Sequence, residues 1–93
     1  MTPFPDLPDF CEFATAYTWN GRQFIGIGAT IGKDYDRGIA QLHRRCRAAM
    51  EPHGFGIWGS RAMSDFDTGV YRAVVFLIGG GDWTDIGKLP RSD

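Results

Sequence analysis

Two cysteines and two histidines are the side chains of this 93-residue chain best suited to binding a metal ion. His43 and Cys46 lie three residues apart, a spacing that places both on one face of a helix. Structural zinc sites normally combine two such short pairs, whereas Cys11 and His53 each stand alone. We therefore expect no metal ion and no cofactor. Because two cysteines do not make a disulfide scaffold, we interpret both as reduced, partly buried thiols.

Paired carboxylates are the second candidate for chemistry. Each pair falls in a loop or at the start of a helix, where aspartate commonly forms turns and caps. The chain contains no HExxH, GxSxG, Walker or CxxC motif. The sequence therefore predicts a protein that is not an enzyme. The three pairs are Asp34 and Asp36, Asp65 and Asp67, and Asp82 and Asp85.

The elements that would position a site follow the order ββαββ. Asn20-Gly21 predicts a type I′ turn between strands 11–19 and 22–31, with Tyr17 opposite Phe24. Apolar residues at helical spacing predict a helix over 34–51, in which Gly38 would allow close approach to the sheet. Two further strands are predicted over 55–63 and 70–78. We expect one α+β domain over 11–81, a four-stranded antiparallel sheet with one helix on one face, between an N-terminal arm (1–10) and a C-terminal tail (82–93).

The first hairpin has two different faces. Alanines and isoleucines on one face suit packing under the helix, whereas the other face carries aromatic rings beside glycines and Arg22. A single helix covers only one face, so the aromatic rings form an exposed patch typical of an interaction site. The terminal segments, a second copy of the chain or a partner could cover it, and a stacking platform for bases is a further interpretation. The rings are those of Phe13, Tyr17, Trp19 and Phe24.

Charge is balanced overall but uneven along the chain. Ten basic against eleven acidic residues exclude a uniformly basic nucleic-acid binder. Residues 33–50 nevertheless carry five basic and two acidic side chains. Such a cluster predicts contact with phosphates or with an acidic protein surface. Its binding candidates are Arg37, Arg44, Arg45 and Arg47.

The termini and hydropathy favour a cytoplasmic protein. The first ten residues lack the basic and apolar regions of a signal peptide. The longest apolar run, 73–78, is far shorter than a membrane helix requires.

Residues 20–26, NGRQFIG, followed by a helix with Arg37, resemble part of the GIY-YIG nuclease signature. The first half of that signature is absent, because residues 11–17 read CEFATAY, and Glu51 is the only later glutamate. The same hairpin and helix resemble the AP2-type arm-binding domains of phage integrases. That resemblance implies a sheet placed in the major groove of DNA.

The whole ββαββ order, at this length and without a catalytic motif, resembles several small phage-borne anti-defence proteins, including some anti-CRISPRs. The resemblance implies a protein of the host cytoplasm that occludes a site on a larger protein or nucleoprotein complex. We therefore expect a non-enzymatic inhibitor or regulator, with a homodimer through the aromatic side of the hairpin as one arrangement. The alternative is a DNA-binding module that uses the hairpin and the basic helix.

Overall fold

The computed structural model describes residues 6–65, 67–79 and 91–92; at Trp19, Arg22, Gln23, Arg91 and Ser92 it describes the backbone alone. Two long strands, β1 (Phe13–Trp19) and β2 (Arg22–Gly32), precede the helix α1 (Tyr35–Met50). A short 3-10 turn (Glu51–His53) leads into β3 (Phe55–Ser64) and β4 (Tyr71–Gly79). The predicted α+β fold, with one helix and a four-stranded antiparallel sheet, is confirmed.

The first hairpin folds as its turn sequence dictates. Asn20 and Gly21 both adopt positive φ angles, of 53° and 74°, as a type I′ turn requires. The two-residue turn fixes the register, and Tyr17 lies opposite Phe24 while Phe13 lies opposite Gly28. The predicted register is confirmed along the whole hairpin.

The strands lie in the order β3-β4-β2-β1-β5. Strand β4 lies between β3 and β2 and runs antiparallel to both. Strand β5 (Arg91–Ser92) runs parallel to β1 at the edge of the sheet. The sequence analysis placed these two residues in a tail, because a two-residue strand carries no periodicity of its own. The first five residues and most of the C-terminal tail lie outside the described residues.

Helix α1 packs on one face of the sheet through a stripe of residues four apart. The Asp34 carboxylate accepts a hydrogen bond from the Arg37 backbone N–H at 3.1 Å and caps the first turn. At Gly38 the helix lies close to the sheet, because an added Cβ would lie 2.8 Å from that of Ile31. The predicted close approach is confirmed. The stripe is Gly38, Leu42, Cys46 and Met50.

The core therefore lies between α1 and one face of the sheet. Residues of all four long strands supply it, most of them alternate residues of β2 and β4, and these side chains are all but fully buried. The expected core alanines and isoleucines of the hairpin lie here, with Ala14 and Ile31 at its margin. The helix covers this face only, so the other face of the sheet is the surface on which a site can form. The sheet contributes Ala16, Ile25, Ile27, Ala29, Phe55, Ala73, Val75 and Leu77.

Candidate binding surface on the open face of the sheet

Five of the described aromatic side chains, from four strands, lie on the face of the sheet opposite α1, which we call the aromatic face. Two of them, Trp58 and Phe76, come from the second half of the chain and were not predicted as site residues. Trp58 contacts Phe24 and Phe76, with ring centroids 5.0 Å and 6.1 Å apart. Tyr17 meets Phe76 edge to face at 5.3 Å. The rings of the aromatic face are Phe13, Tyr17, Phe24, Trp58 and Phe76.

Two glycines of β2 provide the space in which the β1 rings lie. A Cβ at Gly26 would lie 2.5 Å from the Tyr17 ring, and one at Gly28 would overlap the Phe13 ring. Each ring therefore lies across the glycine opposite or diagonal to it and shields the backbone there. The sequence analysis expected this pairing of rings with strand glycines. The contacts with the two glycines hold the Phe13 and Tyr17 rings against the sheet.

A bulge in β3 brings Trp58 onto this face. Ile57 pairs with Leu77 and Gly59 pairs with Phe76, so Trp58 is an extra residue between two regular pairs. Its ring covers Phe24, which is only 4% exposed, whereas Trp58 itself is 55% exposed. Phe24 was predicted to contact a partner. The structure places it beneath Trp58, so it supports the surface and is not available to a partner.

An open groove of about 570 Å³ lies beside the rings, between β1, the C-terminal end of β3 and the N-terminal half of β4. Phe13, Tyr17 and Phe76 form its apolar wall. The basic side chains of Arg61 and Arg72 flank it, and Arg72 lies over the Phe13 ring at 5.3 Å from its centroid. The remaining lining side chains are Met63, Ser64, Asp65, Ala73 and Val74.

The groove therefore has a net positive rim that the sequence analysis did not identify. Both arginines are exposed, and within the described part of the chain neither forms an ion pair. Alternation along β4 could have revealed Arg72, Val74 and Phe76 as one face, but the apolar run 73–78 indicated a strand buried on both sides. For Arg22 and Trp19, also predicted here, only the backbone pairing of the two residues is described.

The basic residues of α1 lie on the other side of the sheet and are partly engaged within the chain. Arg45 lies over the Phe10 ring at 4.4 Å. Arg47 contacts His43 Nε2 at 3.2 Å, and Arg37 lies 4.0 Å from the Asp34 carboxylate. Arg44 is exposed and makes none of these contacts within the described residues. The two predicted binding sets thus face in opposite directions and do not form one continuous site.

The structure brings the two cysteines together and leaves the histidines apart from them. Cys46 is fully buried in the core, and the half-buried Cys11 packs against the same core cluster. A hydrogen bond from Cys46 lowers the pKa of Cys11, as does the Arg45 charge, while burial opposes them. The same hydrogen bond and burial raise the pKa of Cys46 above its ordinary 9.0. No three His, Cys, Asp or Glu side chains of the described ranges cluster as a metal site would require.

Two of the described aspartates serve local structure. Asp34 caps the helix, and the Asp65 carboxylate accepts the Asp67 backbone N–H at 2.9 Å within the loop between β3 and β4. Both are the cap and turn roles expected from the sequence. The pair at 82 and 85 lies outside the described residues.

Comparisons with known proteins do not assign a relative. No family model matches the chain, and neither the curated proteins nor the solved structures include a match. Among the described residues, no helix has the length and apolar character needed to cross a membrane.

Proposed function

We propose that this protein is a non-enzymatic binding protein that recognises a partner protein through its aromatic face. In this role it acts as an inhibitor or regulator that occludes a site on a larger protein or nucleoprotein complex. The observation that carries the proposal is the groove beside Phe13, Tyr17 and Phe76, rimmed by Arg61 and Arg72, on the sheet face that the helix does not cover.

The residue types of this surface are those that protein interfaces favour. Aromatic residues, methionine and arginine are enriched in interfaces, whereas lysine, glutamate and aspartate are depleted. Trp58 is 55% exposed and Met63 is 67% exposed, on the same surface as the two arginines. Tryptophan, tyrosine and arginine supply most binding hot spots.

The surface is also organised before any partner arrives. The rings contact one another, and the glycines beneath Phe13 and Tyr17 fix where those two lie. Side chains that are already ordered lose less conformational entropy on binding. Because Arg61 and Arg72 have no ion-pair partner within the described residues, the surface suits a partner that offers an apolar projection flanked by carboxylates.

Single-stranded nucleic acid is the second candidate, favoured by the two arginines beside the rings. Proteins that bind single strands combine stacking rings with basic groups for the phosphates. The DNA-binding module predicted from the sequence would use the hairpin and the basic helix together. The aromatic face of the hairpin and the helix lie on opposite sides of the sheet, so they do not form one DNA-binding surface. We therefore restrict the nucleic-acid alternative to the aromatic face.

Solution mass is the first test, because a second copy could occupy the same face. Light scattering at low and high protein concentration should give the mass of one chain, about 10.3 kDa. A dimer that Trp58→Ala converts to a monomer would show that the face serves self-association, and would overturn the proposal.

Partner recognition is then tested with matched baits. Wild type, Trp58→Ala, Arg61→Ala and the control Arg44→Ala should be compared by quantitative affinity purification, followed by titration with the purified partner. Truncating a hot-spot tryptophan costs at least about 2 kcal/mol, so Trp58→Ala should weaken binding roughly 30-fold. Arg44→Ala, on the opposite side of the molecule, should bind as wild type does. Equal binding by all four baits would refute the site.

Salt distinguishes the two partner classes. A labelled single-stranded oligonucleotide should be titrated by fluorescence anisotropy at low and high salt. Phosphate contacts make the logarithm of the affinity fall with the logarithm of the salt concentration, by about 0.7 per phosphate for single strands. Tight, steeply salt-dependent binding that Arg72→Ala abolishes would replace the protein-partner proposal with the nucleic-acid one.

A further inference from the structure

The segment that precedes β1 is fixed by backbone hydrogen bonds at Cys11 and at the residue that follows it. The Cys11 backbone N–H donates to the Pro8 carbonyl at 2.9 Å, and the Glu12 N–H donates to the Gly28 carbonyl at 2.8 Å. Leu7, Phe10 and Cys11 all pack against the core cluster. The thiol of Cys11 is therefore held in one place by its backbone and its packing.

Two neighbouring contacts align this segment with the last turns of α1. Phe10 lies under the Arg45 guanidinium at 4.4 Å. Cys11, the residue after Phe10, packs against the core cluster that contains Cys46, the residue after Arg45. One thiol is half-buried and the other is fully buried, so a small reagent reaches Cys11 first.

We propose that Cys11 and Cys46 form a thiol pair that low-molecular-weight disulfides oxidise to an internal disulfide, which links the segment before β1 covalently to α1. This inference stands apart from the proposed function, because it concerns the opposite side of the sheet.

The reaction proceeds by two thiol–disulfide exchanges. The Cys11 thiolate attacks one sulfur of oxidised glutathione, forms a mixed disulfide and releases one glutathione thiolate. The Cys46 sulfur then attacks the Cys11 sulfur, breaks the mixed disulfide and releases the second glutathione. Both protein thiol protons end on the two glutathione molecules, so two cysteine thiols are oxidised and one disulfide reagent is reduced.

The order of the two steps follows from the environments of the sulfurs. The thiolate is the nucleophile in such exchanges. The Cys46 hydrogen bond and the Arg45 charge lower the pKa of Cys11, which raises its thiolate fraction. Cys46 lacks solvent access, so it reacts only with a sulfur already bound beside it. Cys11 is the attacking residue and Cys46 the resolving one.

The test exposes the folded full-length chain to oxidised glutathione and follows its intact mass. Wild type should lose two hydrogen atoms without gaining glutathione, and peptide mapping should join Cys11 to Cys46. Closing the loop from Cys11 to Cys46 should raise the melting temperature by roughly 10–30 °C, and dithiothreitol should reverse the shift.

Single-cysteine variants assign the steps. Cys46→Ala should retain one glutathione on Cys11, and Cys11→Ser should remain unmodified. If circular dichroism shows that Cys46→Ala does not fold, the wild-type peptide map alone tests whether oxidation joins Cys11 to Cys46. Stable glutathione on wild-type Cys11, disulfides between molecules, or no reaction would each overturn the proposal and leave the cysteines as packing residues.

Discussion

Replacing Gly28 with alanine should destabilise the protein by about 2 kcal/mol. Gly28 lies in β2 between β1 and β4, where an added Cβ would overlap both the Phe13 ring and the backbone carbonyl of Ala73. The ring can turn aside, but the carbonyl belongs to strand β4. The two strands would therefore have to move apart, or the sheet would have to distort.

The change in the free energy of unfolding is the difference between the cost of overpacking and the gain from replacing a flexible glycine. Overpacking a well-packed site costs about 1–3 kcal/mol, and the backbone clash places Gly28→Ala near the upper end. Alanine in place of a strand glycine returns roughly 0.5–1 kcal/mol, because the unfolded chain loses less entropy on folding. The difference of about 2 kcal/mol should lower the melting temperature of a domain of this size by roughly 8–16 °C.

Two other glycines provide matched controls. At Gly26 the close atoms belong to the side chains of Tyr17 and Val74, which can rotate, so Gly26→Ala should change stability little. It should instead displace the Tyr17 ring and alter the near-UV circular dichroism spectrum. At Gly59 a Cβ would meet nothing within 4 Å, so Gly59→Ala should be neutral or raise stability by about 0.5 kcal/mol.

Urea unfolding at neutral pH, followed by far-UV circular dichroism, gives the three free energies of unfolding. The expected order of stability is Gly59→Ala, then Gly26→Ala, then Gly28→Ala. A Gly28→Ala protein as stable as wild type would show that the Phe13 ring and the β2–β4 spacing differ from this arrangement. The account of how the aromatic face is held would then be wrong.

Three further predictions concern the helix and the surface. Asp34→Ala removes the cap on the Arg37 N–H and should cost about 1 kcal/mol in urea unfolding. Met50→Ala, in the core, should cost about 2–5 kcal/mol, whereas Met63→Ala, 67% exposed, should stay within about 0.5 kcal/mol. The pKa of Cys46 is raised above 9.0 in the folded chain. The unfolded chain alone therefore ionises this thiol above pH 9, and its contribution to stability falls as pH rises past that value. Because the pKa of Cys11 shifts in the opposite direction, the comparison uses a Cys11→Ser background, in which burial still raises the pKa of Cys46. The double variant Cys11→Ser/Cys46→Ala should lose less stability between pH 7 and pH 10 than Cys11→Ser does.

The fold could be predicted because its strongest signals are local. The Asn20-Gly21 dipeptide fixes the first hairpin and its register, and the four-residue spacing of buried side chains defines the helix face. The two-residue strand β5 could not be predicted in this way. Its pairing with Ala16 and Tyr17 depends on the edge of a sheet that is already formed.

The candidate site was only half predictable. Phe13 and Tyr17 follow from the alternation of a regular strand, and the structure places both on the open face. Trp58 does not follow, because the bulge between Ile57 and Gly59 breaks the two-residue period of β3. A bulge depends on how two strands pair, so no periodicity within β3 alone reveals which face its tryptophan joins.

Under the proposed function, stability and partner recognition depend on different layers of this small sheet. The core between α1 and the sheet contains side chains such as Ile27 and Val75, which are fully buried. On the other face, Gly26 and Gly28 hold the inner rings, while Trp58 and the two arginines lie outermost. Substituting an outermost side chain removes contacts with a partner and leaves the glycine–ring layer in place. A loss of binding by Arg61→Ala with an unchanged melting temperature would therefore identify the aromatic face as an interface, because a merely structural surface would lose both together.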